Sequence, residues 1–210
     1  MSAPKKVAVI ATSTRTPRVG PNVASLVKDI IADDAAANNI ELSLVDVASF
    51  NLPVFDEQVA PAQVPKHASF AHAHSIAWSA EIARHDAYIL VIPEYNFGLS
   101  GGTKNAIDYL YNDWIGKPVA VVSYGIGGGT NASEHAKQVL EGMKLRLAAT
   151  RPALPFAGGP GPDLFAAMGQ GAIGEESRKD WLANKSADIL KAFGEVKDLL
   201  NEPPKATTEA

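Results

Sequence analysis

Five short apolar runs, separated by segments whose apolar residues recur every three or four positions, constrain this 210-residue chain more than any other feature. The first run is Val7-Ala8-Val9-Ile10-Ala11, followed by Val23, Leu26, Val27, Ile30 and Ile31 at helical spacing up to Asn38-Asn39. The others are Glu41–Asp46, Asp86–Ile92, Lys117–Ser123 and Pro152–Phe156. Continuous apolar runs, rather than alternating ones, belong to strands buried on both faces. Further helices are expected over about 65–84, 104–111, 131–149 and 175–200, with Pro93 ending the third strand. Segments 50–64 and 157–174, rich in Pro or Gly, read as loops. Residues 1–200 then make one domain, and 201–210 a disordered tail.

Strand and helix in alternation mean α/β architecture: a parallel sheet with helices on both faces and right-handed crossovers. Five strands predict the doubly wound order 2-1-3-4-5, and a six-stranded sheet lacks a candidate strand. In that order a ligand sits beyond the carboxyl ends of strands one and three. The loops after strands one, three and four should therefore line one site.

Composition removes whole classes of function. With no cysteine there is no disulfide, thiolate metal site or cysteine nucleophile. No long apolar segment and no secretory signal are read, which predicts a cytoplasmic protein with no membrane partner. A formal charge of −4 argues against a nucleic-acid partner. His72 and His74, with His67 nearby, alternate and do not share a helix face, so packing is favoured over a metal and none is predicted. No G-x-S-x-G elbow and no Walker A sequence is present.

The three loops carry the chemistry. The first offers Ser13, Thr14, Thr16, Arg15 and Arg18, then a helix starting near Gly20-Pro21-Asn22. A helix N-terminus, hydroxyls and guanidinium groups suit a phosphate, although a polar capping loop has the same composition. The second, Pro93-Glu94-Tyr95-Asn96-Phe97-Gly98, offers aromatic walls and close backbone approach; Glu94 and Asn96 either touch a ligand or fix the loop. The third, Ser123-Tyr124-Gly125-Ile126-Gly127-Gly128-Gly129, exposes backbone donors and acceptors. It is not a dinucleotide fingerprint, which belongs after the first strand.

Together the loops resemble the NADPH-dependent FMN reductase family. Residues 12–20 look like its G-S-x-R phosphate loop, and Pro93-Glu94-Tyr95-Asn96 matches its P-E-Y-N motif. Lys104-Asn105-Ala106-Ile107-Asp108 matches its K-N-A-I/L-D helix start, and Lys117-Pro118 with Ser123-Tyr124-Gly125 its K-P-x-x-x-x-S-x-G segment. Leu52-Pro53 through Asp56-Glu57 resembles its L-P-x-x-D-E loop. Thr12, Thr103 and Asn131 stand where glycine, leucine and arginine are common.

The resemblance implies a flavodoxin-like three-layer sandwich and an enzyme that passes electrons from NADPH or NADH through FMN to a small acceptor. Quinones, azo compounds, flavins and metal ions are the acceptor classes it implies. Ser13, Arg15, Arg18, Val19, Gly20 and Asn22 would hold the FMN phosphate. Pro93, Glu94, Tyr95, Asn96 and Phe97 would contact the ring, and Ser123, Tyr124, Gly125 and Gly127 its pyrimidine edge. The flavin N5 would carry the chemistry, so no catalytic side chain is assigned. A homodimer or homotetramer is implied. The alternatives are an electron carrier and a flavin-binding regulatory scaffold, neither with turnover of its own.

Overall fold

The computed structural model describes residues 3–65 and 70–202. β1 (Lys5–Ala11) pairs in parallel with β2 (Ile40–Asp46) on one side and β3 (Ala87–Tyr95) on the other. β3 turns back through the two-residue β4 (Gly98–Leu99) and pairs in parallel with β5 (Pro118–Gly125). Beyond β5 the edge is split, with β6 (Arg146–Leu147) along its start and β7 (Ala153–Pro155) along its end. Among the described residues the sheet thus has seven strands rather than the expected five. The positional order 2-1-3-4-5 holds. The additional strands come from the broken edge position and from a hairpin too short to leave an apolar run.

Seven α-helices lie among the described residues: α1 (Gly20–Ala37), α2 (Ala73–Ala83), α3 (Gly101–Asp108), α4 (Thr130–Gly142), α5 (Pro162–Gly169), α6 (Glu175–Asn184) and α7 (Ser186–Asn201). Val7, Val9, Ile89 and Val91 face α1 and α7, where Val27 and Phe193 are buried. The intervening Ala8, Ile10, Tyr88 and Leu90 face Trp78, Trp114 and Leu140 on the other side. Both strand faces are therefore core, which is why the runs show no polar alternation. No described helix is long and apolar enough to cross a membrane.

Several element boundaries differ from expectation, each through a local interaction. α2 starts at Ala73 because the Glu57 carboxylate takes the N–H groups of Ala71 and His72, at 2.9 and 3.1 Å, while His72 stays extended. Residues 66–69, where that helix was expected to begin, lie outside the described residues. β3 runs through Pro93 to Tyr95. Alternate residues of a strand turn their polar groups to the same edge, and Val91 O accepts from Thr12 N–H on the β1 side. Pro93 turns to that same side after β1 has ended, so its missing N–H breaks no ladder bond.

α4 stops at Gly142 and the chain enters β6, whereas the apolar spacing predicted helix to Ala149. Lys144 is left-handed (φ 64°), and Leu145 N–H reaches Leu140 O while Lys144 N–H reaches Glu141 O. That is a Schellman stop with lysine where glycine is usual. The expected loop 157–174 contains α5, and the expected helix over 175–200 is two helices parted at Lys185. Of the expected tail, 203–210 lie outside the described residues.

Candidate functional site

The carboxyl ends of β1, β3 and β5 open into a cleft of about 480 Å³. Arg15, Arg18 and Val19 line it from the first loop, Pro93, Glu94, Tyr95 and Asn96 from the second, and Tyr124, Gly125 and Ile126 from the third. The topology thus joins segments more than 100 residues apart, as the doubly wound order requires. Phe156, just after β7, and a fourth wall of Leu164, Ala167 and Met168 complete the cleft; the segment 157–174 was expected to shape the acceptor pocket, but as a loop and not as a helix. That wall comes from α5, whose signal was present: Pro162 at the helix start and Asp163 in the first turn.

In the first loop the polar groups are incompletely used. α1 has no side-chain cap and no acidic residue in its first turn, so a partial positive charge stands at Val19, on the cleft wall. Arg18 gives Nη2 to Asp46 at 2.6 Å, but its Nη1 is buried without a hydrogen-bond partner. Arg15 is exposed and donates to the Met168 carbonyl at 3.0 Å, tying the last turn of α5 to the loop. Ser13 and Gly20 are buried behind the wall. A Cβ at Gly20 would strike the Ser13 hydroxyl and come within 2.8 Å of the Tyr124 phenol oxygen, which explains glycine there. Asn22 does not line the cleft; its amide donates to Gly171 O at 2.7 Å and holds the chain after α5.

In the second loop Glu94 is committed internally. Glu94 accepts from the backbone N–H of Asn131 at 2.8 Å and of Ala132 at 3.1 Å, capping α4 from outside its own segment. Asn96 (φ 49°) and Phe97 (φ 62°) form the two-residue turn between β3 and β4, both left-handed as such hairpins require. Phe97 is 79% exposed and borders a neighbouring groove, not the cleft. Lys104 pairs with Asp108 at 2.7 Å, and Asn105 receives Phe55 N–H and donates to Pro53 O, pinning loop 51–57.

Two of the residues that depart from the family pattern are in contact. Thr12 Oγ1 lies 2.7 Å from Thr103 Oγ1, which lies 2.8 Å from Ser100 Oγ, the cap of α3. Asn131 supplies one of the N–H groups that Glu94 accepts.

In the third loop Ser123 donates to Gly128 O at 2.8 Å and is fully buried, while Gly127 is exposed away from the cleft. Burial raises the Tyr124 phenol to about 12, against the neighbouring Ser13 hydroxyl and the charges of Arg18 and Arg15. The nearby histidines are not part of the cleft. His74 bonds Asp56 at 3.0 Å and stacks on His72, and this hydrogen bond holds the Asp56 carboxyl below its usual range. His67 lies outside the described residues. Among the described residues no group of three or more metal-ligating side chains is arranged to hold a metal ion.

The family model for NADPH-dependent FMN reductase matches residues 5–157. The chain is 50% identical over 200 residues to the NAD(P)H-dependent FMN reductase ntnL of Nectria sp., covering 94% of this chain and 98% of that one. It is 35% identical over 146 residues to the NAD(P)H-dependent FMN reductase LOT6 of Saccharomyces cerevisiae, covering 68% and 76%. Among solved structures it superposes on FerB, a flavoenzyme NAD(P)H:(acceptor) oxidoreductase from Paracoccus denitrificans, with a TM-score of 0.63 at 20% identity. That match covers 91% of this chain and 98% of that one. This last likeness carries the fold, which is flavodoxin-like.

Proposed function

The chain belongs to the NADPH-dependent FMN reductase family, and on that footing we propose that its cleft holds the FMN phosphate at the start of α1 and serves a quinone-like acceptor. The protein is an oxidoreductase that uses FMN and takes electrons from NADPH or NADH.

The observation that carries the placement is the buried, unpartnered Nη1 of Arg18 beside the uncapped first turn of α1. A buried donor without an acceptor costs on the order of 1–3 kcal/mol, more if charged, and a phosphate oxygen removes that cost. The residues present therefore fit FMN. Arg18 and the α1 backbone would hold the phosphate, while the backbone of Tyr95, Asn96 and Gly125 would flank the ring. When bound, FMN would supply the redox chemistry between nicotinamide and acceptor.

The chain itself binds, orients and excludes water. Among the described residues Glu94 is the one carboxylate on the cleft wall, and its Oε2 accepts both N–H groups at the start of α4, so no side-chain acid or base is assigned. Ile126, Phe156, Leu164 and Met168 give the cleft an apolar side, which suits a flat organic acceptor better than a hydrated metal ion. Tyr95, Phe97, Ile126, Phe165 and Met168 leave exposed apolar surface near the mouth, in keeping with a homodimer or homotetramer. A cytoplasmic setting accords with the lack of cysteine.

The test is steady-state NADPH oxidation with a soluble naphthoquinone and with ferric citrate. The reading expects quinone turnover with parallel double-reciprocal lines, the sign of two successive half-reactions. Faster turnover with ferric citrate would remove the quinone assignment.

A further inference from the structure

Tyr124 leaves β5 on the floor of the cleft and is 5% exposed, yet its hydroxyl is turned toward the loop after β1. At the Gly20 position, where a Cβ would sit, the Tyr124 oxygen and the Ser13 hydroxyl meet from two sides. The charges of Arg15 and Arg18 both act on the phenol, and Arg18 Nη1 lacks a partner. Ser13 and Arg18 of the loop after β1 thus gather with Tyr124 at the end of β5 near the first turn of α1.

We propose that Tyr124 belongs to the phosphate end of the site: its phenol donates a hydrogen bond to the FMN phosphate, so the end of β5 recognises the phosphate as well as the ring. The proposal rests on placing that phosphate at α1. It departs from the family resemblance, which puts Tyr124 at the pyrimidine edge. A phenol is protonated at neutral pH and burial raises this one further, so it meets a dianion as a donor and not as a like charge. Gly20 keeps open the space into which both hydroxyls project.

Riboflavin shares the ring and the ribityl chain with FMN and lacks only the phosphate. Binding of both flavins to the apoprotein, followed by fluorescence quenching, therefore separates the two placements. Tyr124→Phe is expected to weaken FMN roughly 10- to 100-fold, as for a hydrogen bond to a charged group, and to leave riboflavin unchanged. The loss should persist in a Ser13→Ala background, since a direct contact does not act through Ser13. Gly20→Ala, which crowds both hydroxyls, should show the same selectivity if Tyr124→Phe fails to fold.

An equal loss for both flavins would place Tyr124 at the ring and overturn the proposal. So would an effect that vanishes without Ser13. If the wild-type apoprotein bound neither flavin, the functional reading would fall first and this proposal with it.

Discussion

The loop after β1 and the stretch from Glu94 to Asn105 both carry polar residues and use them in opposite ways. After β1, Arg18 keeps a buried nitrogen unpartnered and α1 starts without a cap. In the other stretch, Glu94 caps α4 and Ser100 caps α3, while Asn105 holds loop 51–57. Satisfied groups set a shape; unsatisfied buried groups await a ligand. On the proposed reading, the P-E-Y-N stretch shapes the cleft and the first loop is where binding of the FMN phosphate is expected to concentrate.

The sharpest test of that contrast is Arg18→Ala. It should weaken FMN by roughly 10- to 100-fold, the worth of a charge-assisted hydrogen bond, with a smaller effect on riboflavin. Because Asp46 is 38% exposed, water replaces its lost partner and folding should change little. Unchanged FMN affinity, read by fluorescence titration, would break the comparison on its first side.

Glu94→Ala tests the other side. Loss of a cap costs about 1 kcal/mol, which lowers the melting temperature by roughly 2–4 °C in a chain of this size. The change should not discriminate FMN from riboflavin. Strong selectivity against FMN would show that Glu94 is a binding group and not a structural one.

Arg15→Ala should be milder than its sequence position suggests. Arg15 is exposed and already engaged with the Met168 carbonyl, so a loss of roughly two- to five-fold is expected, in the range of exposed charge contacts. A loss as large as that of Arg18→Ala would mean that both guanidinium groups hold the phosphate.

The smallest effect concerns the attachment of loop 51–57. His74 lowers the Asp56 carboxyl below its ordinary value of 3.8, so the stability it contributes is present above that pH and is lost as pH falls through the lower folded-state value. Melting temperatures of wild type and Asp56→Asn should differ at neutral pH and converge below about 3.8. A gap that persists in acid would give the contact a non-ionic origin.

The sheet was legible because β1, β3 and β5 are buried apolar runs, and a pattern of that kind survives any context, while β2 is an edge strand in which only Val45 is buried. What escaped had local causes. Lys144 ends α4 in a conformation where glycine is the usual signal, and Pro93 continues a strand only because its neighbour has already turned away. α5 is short and surrounded by Gly and Pro, and its pairing with Arg15 spans 153 residues. The three cleft loops were legible from topology, but which of their residues point inward was not. Ser13, Gly20, Asn22, Phe97, Ser123 and Gly127 sit in the expected segments and outside the cleft lining.

The most direct test of the central claim is the absorbance spectrum of the purified protein, loaded with FMN if it is colourless, before and after anaerobic NADPH. The account predicts a bound-flavin spectrum that bleaches on NADPH and returns when a quinone is added. A protein that takes up no FMN, or whose bound flavin neither NADPH nor NADH reduces, would contradict it.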